Sequence, residues 1–166
     1  AKDRQEPTVG LMGDAFFDEA FCRAVVRAML EGRSVKAAQG EVHFRTTHLG
    51  RELNRDDLAS LPVSPPTALS SNTVVMLDET LFLKGYRQIR PGVNPELEMG
   101  RFLTEVAGFA NSVPVLGAIE YEAADGTVGT LGLLQAYVVN QGDGWSYTLA
   151  YLERYLAEMR DADGTP

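Results

Sequence analysis

The 166-residue sequence contains one cysteine, Cys22, and two histidines, His43 and His48. A lone thiol excludes an internal disulfide framework. Its position on the apolar side of a predicted helix suits a buried thiol in a reducing, cytoplasmic compartment. The histidines stand five apart with no third ligand pattern beside them, which argues against a zinc site. Positive charge is scarce: 15 Lys and Arg stand against 23 Asp and Glu, a formal net charge of -8. With no basic run interleaved with aromatics, a nucleic-acid surface is not expected. No apolar stretch approaches the about 18 residues that a membrane-spanning helix needs, and no charged-then-apolar leader opens the chain, so neither membrane spanning nor secretion is supported. The glycines of GTVGTLG (residues 126–132) follow a hairpin turn instead of opening a helix, a context that excludes a dinucleotide or Walker loop.

What is present is enough apolar material, 45% of residues, for one compact core or two small subdomains sharing one. Residues 14–31 (DAFFDEAFCRAVVRAMLE) carry Phe17, Phe21, Val25, Ala28 and Met29 at helical spacing, with Asp14 as cap and Gly32 as stop. A strand is expected within 35–46 around EVHFR. Asn54 caps a predicted short helix, RDDLAS, and PVSPP (62–66) reads as an extended linker. The period then becomes strand-like. TVVML and TLFLKGY, separated by Asp78-Glu79, form an expected antiparallel hairpin. Asn94-Pro95-Glu96 starts a helix that should run to about Ala107, where Gly108 can end it. Ala124-Asp125-Gly126 joins two longer strands, and Asp143 caps a last helix with a stripe of Leu149, Leu152, Leu156 and Met159. The expected order is helix, strand, short helix, three strands, helix, two long strands, helix: an α+β arrangement with a mostly antiparallel sheet.

Within LFLKGYRQIRPGVNPELEMGRFL (residues 81–103), strand alternation places Lys84 on one face with Phe82 and Tyr86. In an isolated hairpin such a lysine would lay its stem on the rings and keep its head in water. The following helix changes that expectation. Glu96 and Glu98 open it, where the helix dipole favours anions, and Glu98 borders a predicted buried face of Met99, Phe102, Leu103 and Val106. A strand lysine paired with a glutamate of the next helix is how kinase-type small lobes hold ATP phosphates, and the element order agrees.

The blocks SNTVVMLDETLFLKGYRQIRPGVNPELEMGRFLTEV, VPVLGAIEY and TLGLLQAYVVNQGDGWSYTLAYLERYL closely resemble the N-terminal half of bacterial maltokinases, including those fused to trehalose synthase. GLMGDAFFDEAFCRAVVRAMLEGRSVKAAQGEVHF resembles the segment that leads into that lobe. The resemblance implies a kinase-like fold related to aminoglycoside phosphotransferases and protein kinases, and transfer of the ATP γ-phosphate to maltose to give maltose 1-phosphate. It divides the chain into a cap-like segment (1–61), a small lobe (62–143) and a helix (144–166) leading to a large lobe.

Carried over residue by residue, Lys84 corresponds to the phosphate-holding lysine and Glu98 to its partner, with Glu96 and Glu105 as further candidates. Gln135, Ala136, Tyr137 and Val138 form the connector whose backbone meets adenine. Ser71, Asn72 and Thr73 belong to the turn over the phosphates, where Ser70 replaces the glutamine common in the family. Asn140, Gln141, Gly142 and Asp143 match an NQGD block, in which Asp143 also reads as a helix cap. The acceptor base and the magnesium ligands are expected in the large lobe, since no H-R-D, H-G-D or D-F-G type segment occurs here. The chain therefore reads as a piece of a longer protein, inactive by itself, with maltose reached through that lobe. The alternative is a non-catalytic kinase-like module that binds a partner or regulates an attached trehalose synthase.

Overall fold

The computed structural model describes residues 10, 12–54, 58, 60–66 and 72–162. The first helical stretch is divided in two. Asp14 accepts the Phe16 N–H at 3.0 Å and caps a single 3-10 turn, Ala15–Phe17, while Asp18 caps α1, Glu19–Glu31, by accepting from the Ala20 and Phe21 N–H groups. An aspartate that can satisfy two free amides starts a helix more readily than it continues one. Gly32 ends α1 in a left-handed conformation, φ 65°, with the Arg33 N–H closing back onto the Ala28 carbonyl. The buried face of α1 is Cys22, Val25, Val26, Met29 and Leu30, whereas Phe17 and Phe21, expected inside, are exposed. Phe16 packs against the core in their place.

The expected single strand at 35–46 is a hairpin, β1 (Ser34–Ala37) and β2 (Gly40–Thr46), followed by a short helix, α2 (His48–Glu52). The predicted helix RDDLAS lies largely outside the described residues. β3 (Asn72–Leu77) and β4 (Leu81–Tyr86) form the expected antiparallel hairpin, turning through Asp78 at φ 50°. The extended segment 62–66 lies along β3: the Ser64 N–H donates to the Met76 carbonyl at 2.8 Å and the Asp78 N–H to the Pro62 carbonyl at 2.7 Å, with an isolated bridge Val63↔Leu77. Of the three strands expected between the short helix and the next long one, the described residues hold two, β3 and β4, and the segment expected as an extended linker is a hydrogen-bonded strap. Its prolines lack the amides to continue a ladder, and they also blunt the β3 edge.

α3 (Pro95–Arg101) begins as expected, Asn94 accepting from Glu96 and Leu97 N–H groups with Pro95 in the first turn. It widens into a π segment, Phe102–Val106. β5 (Val115–Ala123) and β6 (Val128–Ala136) pair through the Asp-Gly turn, and α4 (Gly144–Ala162) follows. The fold is α+β, with one six-stranded, fully antiparallel sheet in the order β1-β2-β5-β6-β4-β3. Because β2 pairs with β5 from Gly40↔Ala123 to Thr46↔Gly117, the sheet runs without interruption across the boundary expected near residue 61.

Strand alternation sorts the two faces. Val75, Leu77, Leu81, Leu83 and Leu134 join α1 in the larger core, and Val115, Ala118 and Leu133 meet Leu97 of α3, with Tyr86 packed against them. Residues 144–160 of α4 are exposed, including the Leu149, Leu152, Leu156 and Met159 stripe. No helix among the described residues is long and apolar enough to cross a membrane.

Candidate functional site

Lys84 projects from β4 toward α3. Its Nζ lies 2.9 Å from each carboxylate oxygen of Glu96, and the Tyr86 hydroxyl donates to Glu96 Oε2 at 2.7 Å. The ammonium also stands 5.6 Å from the centre of the Tyr86 ring, within cation–π range. Burial pushes the Tyr86 phenol well above its ordinary range; the hydrogen bond to Glu96 and that residue's negative charge add to the effect, and the Asn94 amide opposes it. The phenol is therefore a neutral donor throughout the physiological range.

The partner of Lys84 is thus Glu96, where the sequence pointed to Glu98. The error is one of helix phase. The expected buried face held Met99, Phe102 and Val106, all of which are exposed, while Leu97 is buried. Gly100 is the reason. A side-chain carbon on Gly100 would run into Cγ2 of Val115, so the helix lies close to the sheet along Leu97, Gly100 and Thr104, a face that apolar periodicity cannot register. Two positions along a helix is about 200° of rotation, and Glu98 accordingly lines a different cavity with Val93, Phe102 and Val128. Glu105, the remaining candidate, accepts the His48 N–H at 3.2 Å.

The connector lines a cavity of about 320 Å³ with Phe82, Val113 and Asn140. Phe82 pairs with Gln135 across the β4–β6 ladder and shares a strand face with Lys84, so cavity and lysine lie on one side of the sheet. The Ala136 N–H donates to the Pro114 carbonyl at 3.0 Å and the Tyr137 N–H to the Thr80 carbonyl at 2.8 Å. In an antiparallel ladder the bond from Ala136 to Pro114 would be returned by the N–H of residue 114, and proline has none. The Ala136 carbonyl is thereby left without its ladder donor. Two residues on, the Val138 N–H makes no backbone hydrogen bond among the described residues. The Val138 carbonyl accepts from Asn140 Nδ2 at 3.0 Å, and Asn140 Oδ1 accepts the Gly142 N–H at 3.0 Å, so the first residues of the NQGD block hold the connector's exit. Asp143 caps α4, accepting the Ser146 N–H at 2.8 Å; that bond and the contact with the Ser146 hydroxyl draw its carboxyl below the ordinary range.

The turn residues divide. Ser71 lies outside the described residues. Asn72 opens β3 opposite Tyr86 and lines a cavity of about 290 Å³ with Tyr86 and Asn94. The Thr73 side chain does not join them. It points to the opposite face, where its hydroxyl donates to Asp14 Oδ2 at 2.9 Å and accepts from Arg87 Nε at 3.0 Å. Strand alternation from Asn72 requires this.

Sequence reasoning passed over Glu96 as first choice, the Tyr86 hydroxyl, and Pro114. The adjacency of Tyr86 to Lys84 on one strand face was available as a signal; the role of Pro114 needed the β5–β6 register. Among the described residues no group of three or more His, Cys, Asp or Glu converges. No protein-family model matches the chain.

Proposed function

We propose that this chain is the nucleotide-binding lobe of a kinase-like sugar kinase, with ATP as phosphoryl donor and maltose as acceptor. The observation that carries the proposal is the placement, on one side of a single sheet, of the bidentate Lys84–Glu96 pair and a connector offering a carbonyl at Ala136 and an N–H at Val138. The adenine edge presents a donor, the exocyclic amino group, beside an acceptor ring nitrogen, and the connector is complementary to both. Phe82 supplies apolar surface for the base. Lys84 lies further along the same strand, toward the phosphates, and Glu96 keeps its ammonium extended toward them.

In this reading Lys84 neutralises charge on the phosphates, the electrostatic part of phosphoryl transfer. The base for the maltose anomeric hydroxyl and the magnesium ligands belong to a second lobe, which covers the exposed apolar stripe of α4. Dependence on ATP places the protein in the cytoplasm.

The test is titration of the chain with Mg-ATP, wild type beside Lys84→Ala. A charge-assisted contact is worth about 1.5–3 kcal/mol, so the variant should bind about ten- to a hundredfold more weakly. Equal affinities would remove Lys84 from the site. A wild type that binds no Mg-ATP at millimolar concentration would favour the non-catalytic module, attached to a trehalose synthase or another partner.

A further inference from the structure

Glu96 lies at the start of a helix, and its side chain is 39% exposed, against 20% for that of Lys84. A glutamate this open has several rotamers available, and an ammonium alone constrains it weakly, since Lys is a mobile point charge without a fixed fork. The Tyr86 hydroxyl supplies the missing constraint. Its ring packs against Leu97, Val115, Ala118 and Leu133, which fixes the direction of the hydroxyl, and that hydroxyl donates to Oε2 at 2.7 Å, the same oxygen that Lys84 approaches at 2.9 Å. Phenylalanine would satisfy the packing equally well. Only the oxygen reaches the carboxylate.

We propose that Tyr86 is a positioning residue that holds the Glu96 carboxylate in one orientation and, through it, fixes where the Lys84 ammonium stands. The proposal deepens the nucleotide-binding reading and rests on it for its consequence. When phosphate oxygens draw on the Lys84 ammonium, one or more of its three donors turn away from Glu96. The carboxylate then keeps its place because a second, uncharged donor anchored in the β4 strand still holds it. The upward displacement of the phenol's titration, caused by burial and by Glu96, keeps that donor protonated at neutral pH. The ring adds a second contact through the cation–π approach of Nζ.

The experiment uses wild type, Tyr86→Phe, Glu96→Ala and the double variant, with two readouts: the rate of reductive methylation of Lys84 Nζ, followed by peptide mass spectrometry, and the dissociation constant for Mg-ATP. Thermal unfolding of each variant verifies folding. Tyr86→Phe should raise the methylation rate and weaken Mg-ATP binding, each by about three- to tenfold, while the fold remains intact. In the Glu96→Ala background the same substitution should change neither quantity, because its route to Lys84 is already gone. Lys84 methylation at the wild-type rate in Tyr86→Phe would overturn the proposal, as would an undiminished effect in the Glu96→Ala background. If wild type binds no Mg-ATP while Tyr86→Phe still unmasks Lys84, the nucleotide reading falls and the positioning contact stands.

Discussion

Comparison of Glu96→Ala with Glu98→Ala bears most directly on how the helix after the lysine strand is set. The two glutamates are two positions apart, both in the first turn of α3 and both favourably placed for its dipole. Removing Glu98 loses only that dipole term, about 0.3–1 kcal/mol, and no side-chain partner among the described residues. Removing Glu96 loses the same term, together with a bidentate contact to Lys84 and the acceptor of the Tyr86 hydroxyl. An exposed ion pair contributes about 0.2–1 kcal/mol, and because Glu96 is more than a third exposed, the lower half of that range applies. A phenol in a partly buried setting that loses its acceptor costs about 1–2 kcal/mol more. The total for Glu96→Ala is about 1.5–3.5 kcal/mol against less than about 1 for Glu98→Ala. Urea unfolding at neutral pH resolves such a gap, and in a chain of this size it corresponds to about 2–8 °C in Tm. Equal losses, or a larger loss for Glu98→Ala, would mean that the Lys84–Glu96–Tyr86 contacts do not set the position of α3.

Gly100→Val should displace α3 from Val115, because the added side chain meets Cγ2 of that residue, and should destabilise the fold by about 1–3 kcal/mol with a parallel loss of Mg-ATP binding; wild-type Tm would contradict the close approach. Pro114→Ala supplies an N–H opposite the Ala136 carbonyl, so the ladder gains a bond while Mg-ATP binds about two- to tenfold more weakly in titration; unchanged affinity would mean that adenine does not use that carbonyl. Burial, with Asp18 and Asp14 nearby, pushes the Cys22 thiol up to about 11 from 9.0. The thiol is neutral in both states below pH 9.0, and between pH 9 and 11 it ionises first in the unfolded chain, so its contribution is intact below that window and falls as pH rises through it. The stability advantage of wild type over Cys22→Ala should therefore shrink by roughly 2 kcal/mol from pH 8 to pH 11 in urea titrations; a constant difference would refute burial as the cause.

The strands were the most legible part of the sequence, because alternation is a local property. Leu81, Leu83 and Gly85 against Phe82, Lys84 and Tyr86 is the division the structure makes, and the caps at Asn94 and Asp143 act as their side chains predict. Helix phase was less legible. In the first helical stretch the rings of Phe17 and Phe21 outweighed Val26 and Leu30, and on α3 Gly100 hid the face that meets the sheet. Thr73 was placed with the nucleotide turn by motif, although the alternation used for Lys84 sends its hydroxyl to the other side. The missing ladder donor of the Ala136 carbonyl depends on a partner 22 positions away, so it became visible only with the β5–β6 register.

The β2–β5 register argues for how the chain behaves as a unit. A small lobe with a separate preceding segment would place few bonds across their junction. Here β2 is zipped to β5 over seven residue pairs, Thr47 donates to the Val115 carbonyl at 2.8 Å, and Asp14 binds Thr73 at the root of the turn proposed to cover phosphates. α1 completes the core beneath β4, the strand that carries Lys84 on its other face. Opening of the β1–β2 hairpin would expose the edge of β5, and loss of α1 would uncover Leu83 and Leu134, a cross-strand pair next to Lys84 on the opposite face of the sheet. The lysine strand should therefore share its hydrogen-exchange protection with α1 and β2, and all three should open in one cooperative step. The geometry at Lys84 is then a property of the whole sheet, set as much by α1 and β2 as by the hairpin that contains it.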